Sequence, residues 1–461
     1  MRPGPIAYTP ASEGLIWNDP RDQQMAMDRL FVKDVRCFRG EHWARLAPLT
    51  VLVGENSTGK STFLALARLA WDMAFGVTEP DFNGEPFQLG SYDDLAHYGG
   101  RGKRVASFAL GLSADTSVGT SSRGVASHVV IGTFSSSAGQ PMLSSISYAQ
   151  GQWRADASRD RDVVRVALKT PQGEFSLGTD ALNTDLLRGG LNIQTLPWLV
   201  AFITTSPAPG AASPELRQDL PVLLDSLLSA SRSQNAWGRP VAISPIRSRP
   251  WRTYNPLKEA RSPEGAHVPM LLARLGATDP DRWETLAAEL SRFGKAAGLF
   301  SHLVVHRFEN NESAPFQLRV KLEGQQKAVN LVDVGYGVSQ ILPILVDCLL
   351  DEQPRFLLMQ QPEVHLHPRA QAELGSFFAR LVAQKRHRFV IETHSDHLLD
   401  RIRQEIRNGT LDADSLSLLF FERAGSQVCI RDIRVDDSGN ITQQPDSYRR
   451  FFLEEELRIV S

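Results

Sequence analysis

The chain is 461 residues long, with 42% hydrophobic and 22% charged residues and a formal net charge of −2. That is about three domains' worth of sequence with a large core to bury, and the balance excludes a disordered or collagen-like chain. No basic excess announces a nucleic-acid binder, and the longest apolar runs, 196–203 with Pro197 inside it and 341–350 broken by Pro343 and Asp347, fall far short of a bilayer span.

Residues 1–28 are polar and proline-containing, lack an apolar leader region, and are expected to form a flexible N-terminal segment. Three widely separated cysteines, Cys37, Cys348 and Cys429, give neither a disulfide framework nor a CxxC spacing, so a reducing cytoplasm is expected. From Arg29 to Trp71 the pattern reads strand, loop, helix: alternating Leu30, Val32 and Val35, a polar stretch, the buried-strand run 49–53, then a glycine-rich turn opening a helix. Strand-like pieces at 105–112, 128–134, 146–153, 163–168 and 174–177, separated by Ser, Gly and Thr clusters, predict an antiparallel β region. Between 182 and 299 the chain reads as mainly helical, with helices near 216–230 and 283–297 interrupted by a Pro/Arg-rich segment at 243–254. Strands return at 303–308 and 316–322. An apolar helix near 339–350, a buried strand at 356–359, a helix at 368–384, a strand at 388–392 and a helix after Ser395 follow. Alternating β and α at both ends, with a different texture between, predict one α/β core carrying a large β and helical insertion. No internal repeat and no sustained heptad is present, so no long coiled coil is expected.

Gly54-Glu55-Asn56-Ser57-Thr58-Gly59-Lys60-Ser61 satisfies G-x-x-x-x-G-K-[ST], with an apolar strand before it and helix-compatible Thr62 onward after it. The glycines allow a nest of backbone N–H donors around a β-phosphate, and the helix points its positive end at the same group. Lys60 is then the bridge between β- and γ-phosphates, and Ser61 offers a hydroxyl to Mg²⁺, which makes ATP and Mg²⁺ the expected cofactors.

Three further blocks accompany it. The segment 356–368, containing Gln360-Gln361-Pro362-Glu363 and His365-Leu366-His367-Pro368, has the form of a Walker B strand running into a loop. A second buried strand ends in Thr393-His394-Ser395. In a parallel sheet the strand C-termini converge on the ligand crevice, so Gln360, Glu363 and His394 are expected to face the phosphates. His365 and His367, two residues apart with no third ligand at metal spacing, read as loop-shaping residues. The third block, Gly335-Tyr336-Gly337-Val338-Ser339-Gln340, stands directly before an apolar helix and offers backbone, hydroxyl and amide donors at a helix N-terminus. Alone it would be an ordinary glycine turn with a serine cap.

The P-loop, Gly-Tyr-Gly-Val-Ser-Gln, Pro-Glu-Val-His-Leu-His-Pro and Thr-His-Ser, in this order, closely resemble the ABC-type ATPases of the OLD and RecF/SMC-like group. The resemblance implies an ABC-type head with a mixed sheet, working as a head-to-tail dimer or higher homo-oligomer. Each ATP would lie between the P-loop of one subunit and the signature block of the other. It makes Gly337, Ser339 and Gln340 the signature, His394 the switch histidine, and Gln88 the Q-loop glutamine, a metal-side residue with Ser61 and Gln360. The head would then comprise 29–112 with Walker A and 327–461 with signature, Walker B and switch histidine, around an insertion at 113–326. Segment 244–254 and the tail 448–455 also look familiar from bacterial ATPases of this type, many of them in antiphage defence, such as the subunits AriA and PtuA.

One departure stands out. The family usually has an acidic pair before Pro-Glu, and here it is Gln360-Gln361. An amide orients water but does not take its proton, and it holds Mg²⁺ less strongly than a carboxylate, so hydrolysis is expected to be slow, with Glu363 as the candidate base and Gln361 a water-orienting group. The pair is either a tolerated variant whose base comes from elsewhere or a carboxylate replacement that traps ATP. The expected function is a nucleotide-gated dimeric switch controlling a separate effector, a nuclease or toxin, in antiphage defence. The alternative is a RecF-like clamp binding DNA through Arg101–Arg104, Arg247/Arg249/Arg252 and Lys385–Arg388. A fused nuclease is disfavoured, because too little chain follows His394 and 436–440 reads as a hairpin turn.

Overall fold

The computed structural model describes residues 26–448 except 77–78, 101–102, 116–126, 161–162, 180–192, 206–213, 233–237, 257–259, 310, 312, 351–352 and 426. Nearly all of the expected N-terminal segment and of the tail motif therefore lies outside the described residues, as do Arg101 and most of one Ser/Gly tract. In chain order the elements are β1 (Ala26–Val35), β2 (Phe38–Arg45), β3 (Leu49–Gly54), α1 (Lys60–Phe75), α2 (Tyr92–Leu95) and β4 (Ser107–Asp115). Then come β5 (Ser127–Ser137), β6 (Gln140–Gln150), β7 (Trp153–Asp160), β8 (Val163–Thr170), β9 (Gly173–Thr179), α3 (Leu196–Thr205), α4 (Pro214–Arg232) and β10 (Val241–Ile243). The C-terminal part has α5 (Val268–Thr278), α6 (Pro280–Ala297), β11 (His302–Arg307), β12 (Phe316–Lys321), β13 (Val329–Asn330), α7 (Tyr336–Leu349) and β14 (Arg355–Gln360). It closes with α8 (Pro368–Ala383), β15 (His387–Glu392), α9 (Asp396–Arg407), β16 (Leu416–Ala424), β17 (Gln427–Val435) and β18 (Ile441–Gln443).

Among the described residues these strands form three sheets. A seven-stranded sheet runs β10-β14-β15-β3-β16-β17-β18, parallel as far as β16 and antiparallel beyond it. An eight-stranded antiparallel sheet runs β2-β1-β4-β5-β6-β7-β8-β9, and β11-β12-β13 make a small third one. Every residue of β3 is buried, as a central parallel strand with both faces covered requires. Helix α1 is apolar on nearly all sides, from Phe63 through Ala74, because it lies between the parallel and the antiparallel sheet. The opposite face of the parallel sheet is covered by α7, α8 and α9, whose Ile341, Phe377, Phe378 and Leu398 fill a second core. This is a mixed α/β P-loop fold with an attached antiparallel β region. The longest helix among the described residues, α4, has 19 residues.

The structure adds strands to those the sequence predicts. The polar stretch after Val35 is β2, whose burial is carried chiefly by Phe38 and Ala44, too little to stand out as an apolar run. The piece expected at 146–153 is split by a turn at Gly151 into β6 and β7. Strand β10, at the edge of the Pro/Arg-rich segment, pairs in parallel with β14, and β16–β18 complete the sheet beyond the P-loop strand. The expected boundary at 112/113 falls inside β4, and the stretch read as an insertion both extends the sheet begun by β1 and β2 and supplies β10.

Candidate functional site

The sheet topology brings three sequence blocks together. Strand β15 lies between β3 and β14, so the ends of all three strands sit side by side. Past Gly54 the chain turns through Ser57 (φ 60°) and Gly59 (φ 90°) into α1. A side chain at 59 would also meet Cys37 Sγ at 2.5 Å, so the turn admits only glycine there. Lys60 is buried, its Nζ donating to the carbonyl oxygens of Gly54 (2.8 Å) and Glu55 (2.6 Å), while the Thr58 hydroxyl donates to Glu55 O at 2.7 Å. Burial holds the Lys60 ammonium below its ordinary pKa, against the pull of Glu392 and Glu55.

Ser61 Oγ donates to Glu392 Oε2 at 2.7 Å. Glu392 ends β15 and is buried; burial pushes its carboxyl up, with the Ser61 hydrogen bond and Lys60 pulling back. Arg36, in the β1–β2 turn, donates to Thr62 Oγ1 (3.2 Å), Leu89 O (2.8 Å) and Asp94 O (3.2 Å). A cavity of about 290 Å³ opens here, walled by Arg36, Asn56, Ser57, Lys60, Ser61 and Glu392 among others. A helix N-terminus, a lysine, an arginine and a hydroxyl around one cavity make an anion site of phosphate chemistry. The sequence reading missed Glu392 and Arg36. An acid at the end of the buried run Phe389-Val390-Ile391-Glu392 is the signal that was present for the first.

The other expected residues stand around this cavity rather than in its wall. Gln360 is half-buried at the end of β14. Gln361 has φ 44°; its N–H donates to Glu392 O at 2.8 Å and its carbonyl accepts from Arg247 Nη2 at 3.2 Å. Glu363 is buried, and its Oε1 accepts from the His394 backbone N–H at 2.8 Å. Burial raises its pKa, opposed by the His394 amide and other donors. The His394 ring is solvent-accessible, its pKa lowered by partial burial and by nearby Lys60. Gln88 is exposed and makes no hydrogen bond among the described residues, although its neighbour Leu89 is tied through Arg36 to Thr62.

The signature block stands at the start of α7. Ser339 and Gln340 are 6% and 1% exposed, and Ser339 Oγ donates inward to Tyr336 O at 2.8 Å. Gln340 is tied to the interior through its carbonyl, which accepts from Arg247 Nη1 at 3.2 Å. Neither side chain reaches outward, because α7 begins at Tyr336 and positions 339 and 340 already face the core. Gly337 is pressed against the His365-Leu366-His367 loop: a Cβ there would meet His365 O at 2.7 Å, and the Tyr336 and His365 rings meet edge to face at 4.8 Å. What the block exposes is Gly335 and Tyr336. His367 accepts from Ala370 N at the start of α8, as a loop-shaping residue does.

Arg247 joins the two blocks. It is 2% exposed, its pKa lowered by burial to about 10 against the pull of Glu363, and it bridges the carbonyls of Gln340 on α7 and Gln361 after β14. Its burial also removes it from any DNA-facing surface. His387 and Arg388 of the Lys385–Arg388 run are buried too, and Arg252 is paired with Asp333 at 2.5 Å.

Residues 242–400 match a family model described as "AAA domain, putative AbiEii toxin, Type IV TA system". The match spans β10 to α9 and leaves out the P-loop. Among solved structures the chain is similar to an SmcHead bound to the C-winged helix domain of ScpA, at 10% identity and TM-score 0.46, covering 89% of this chain and 98% of that one. It is also similar to the SMC head domain from Thermotoga maritima (10% identity, TM-score 0.35, 89% and 100% covered). A third is an Smc head domain with an extended coiled coil bound to the C-terminal domain of ScpA derived from Pyrococcus furiosus (11%, 0.44, 95% and 99%). No curated protein matches the chain.

Proposed function

We propose that this chain is an ATP-binding, slowly hydrolysing ABC-type ATPase that acts as a nucleotide-gated dimeric switch, controlling a separate effector such as a nuclease or toxin in bacterial antiphage defence. The observation that carries the reading is the cavity at the start of α1, where Lys60, Ser61 and Arg36 converge beside a helix N-terminus. Triphosphate entering it would draw the Lys60 ammonium from the carbonyls of Gly54 and Glu55, to which it donates. Among the described residues no group of three His, Cys, Asp or Glu side chains is placed to hold a metal by itself. On this reading Mg²⁺ arrives with the nucleotide and would be held by Ser61 on the protein side, with Gln360 and Gln88 as the further metal-side residues; bound there it would neutralise phosphate charge.

Slow turnover is proposed because positions 360 and 361 carry amides, which leaves Glu363 as the candidate base. Closure would bring the exposed start of α7, Gly335 and Tyr336, against the triphosphate held by a second subunit. ATP drives that closure only as far as it contacts the closed pair more than the open one. The matched family's description names a toxin–antitoxin setting, the kind of two-component arrangement this reading requires. No helix among the described residues is long and apolar enough to cross a membrane. The DNA clamp is weakened by the burial or pairing of Arg247, Arg252, His387 and Arg388. Sedimentation of the chain with Mg²⁺ and ATP or a non-hydrolysable analogue tests the proposal. A nucleotide-dependent shift from monomer to dimer is expected, and an unchanged mass at saturating nucleotide refutes the switch.

A further inference from the structure

We infer that Glu392 is the carboxylate that positions the nucleotide's magnesium ion, transposed from the end of β14 to the matching place on its neighbour β15. The inference rests on the nucleotide-binding reading above. Gln360 and Glu392 are register partners on adjacent parallel strands, so their side chains leave the sheet on the same face. Strand β15, not β14, is the direct neighbour of the P-loop strand β3. A carboxylate moved from 360 to 392 has come one strand spacing, about 4.8 Å, closer to the P-loop.

The contact is already made. Ser61 Oγ and Glu392 Oε2 are 2.7 Å apart, and two ligands at right angles on an octahedral magnesium ion stand roughly 2.9 Å apart, so this pair can open around the ion with little movement. Glu392 is also the one acid among the described residues walling the cavity.

The glutamine at 360 then has a reason. Carboxylates on directly paired residues of adjacent strands repel, and one of the two would stay protonated, so an acid at 392 favours a neutral hydrogen-bonding side chain at 360. The competing reading makes Glu392 a tie that holds β15 to α1 through Ser61. A glutamine would make that hydrogen bond without a charge to desolvate; Lys60 nearby offsets part of the cost of the acid, but triphosphate would draw that ammonium to itself, so the buried acid is the costlier solution unless a second cation joins it.

The test is titration of the full chain with a fluorescent ATP analogue, in Mg²⁺ and in EDTA. For Glu392→Gln, affinity in Mg²⁺ should fall about tenfold or more. In EDTA it should be unchanged or tighter, because an anion beside the triphosphate has been removed. The double variant Gln360→Asp/Glu392→Gln, which returns a carboxylate to β14, should regain Mg²⁺ dependence. A Glu392→Gln chain that keeps the wild-type ratio between the two conditions, or weakens equally in both, overturns the inference. If that variant does not fold, Gln360→Asp alone decides: no gain in Mg²⁺ dependence is expected while Glu392 is present, and a clear gain overturns the assignment. A wild-type chain that binds nucleotide without Mg²⁺ dependence overturns this inference alone, whereas one that binds none in either condition removes the nucleotide reading and this inference with it.

Discussion

At the P-loop end of the site, the groups that would meet phosphate are side chains already held by neighbours: Lys60 on two carbonyls, Ser61 on Glu392, and Arg36 bracing Thr62 against the loop at Leu89. At the α7 end, Ser339 and Gln340 are turned into the core, and the surface consists of Gly335, Tyr336 and the first turn of a helix. The first half is a preorganised receptor whose charges come from Lys60 on α1 and Arg36 in the β1–β2 turn. The second can offer a ligand backbone N–H groups, a helix dipole and an aromatic ring. A nucleotide site divided in this way loses affinity when a side chain is removed from the first half, and loses assembly when the surface of the second half is altered.

The largest effect belongs to the first half. Lys60→Ala removes a charge-assisted contact to phosphate worth about 2–3 kcal/mol, so ATP affinity measured by calorimetry should drop about 30- to 150-fold. Folding should be preserved, since the ammonium satisfies only loop carbonyls. An affinity within a factor of two of wild type would put the phosphate elsewhere.

Next comes the hinge between the halves. Glu363 accepts the His394 amide and lies near Arg247, which bridges Gln340 and Gln361. Glu363→Gln keeps an oxygen acceptor and loses the proton acceptor, while Glu363→Ala loses both. If Glu363 chiefly positions His394, the alanine variant loses about 2 kcal/mol of stability and most ATPase activity, and the glutamine variant retains much of both. If Glu363 is the base, both variants lose turnover alike. ATPase rates with thermal unfolding of the two variants separate these outcomes.

How much of this was legible in the sequence follows from what each signal consists of. The P-loop, the buried strands before Gln361 and Thr393, and α6 to α9 are written in runs of apolar residues or in fixed spacings, and they stand where those patterns put them. Strand β2 was not legible, because a solvated strand with few buried positions reads as a polar stretch. The role of Glu392 was hidden for a different reason: it depends on register between β14 and β15 and on β15 lying next to β3, and strand order is not encoded in spacing along the chain. Ser339 and Gln340 illustrate the same limit, because the residue at which α7 starts decides which of its side chains face outward.

The anchoring of α7 gives a smaller, pH-dependent effect. Asp347 is buried on this helix, accepting from Arg261 Nη2 at 2.6 Å with His267 Nε2 at 3.2 Å. Burial pushes its carboxyl up, but the His267 hydrogen bond and Arg261 more than reverse this and hold it below the usual carboxylate range. A carboxyl whose folded pKa lies below its unfolded value contributes stability that is complete above about pH 4 and is lost as pH falls through the folded value. Denaturant unfolding should therefore show Asp347→Asn about 1.5 kcal/mol less stable at neutral pH, with the gap to wild type narrowing below about pH 4. A gap that stays constant into acid would show that the ion pair does not anchor α7.

The smallest effect on the folded chain carries the most information about assembly. Gly335 precedes α7 with φ −54°, and a Cβ there meets nothing within 4 Å. Aspartate is a favoured residue at a helix N-cap and suits the positive end of the dipole, so Gly335→Asp should change the stability of the isolated chain by no more than about 0.5 kcal/mol, and in the stabilising direction. Its carboxylate would sit where a partner's triphosphate has to approach, so nucleotide-dependent dimerisation should fail while ATP binding to the variant's own P-loop is retained. Mixing this variant with Lys60→Ala sharpens the test: each pair contains one seam with an intact P-loop and an intact α7 start, so activity lost by either variant alone should partly return in the mixture. Full dimerisation of Gly335→Asp would mean that α7 does not face the nucleotide of a second subunit, and the division of the site between two chains would have to be given up.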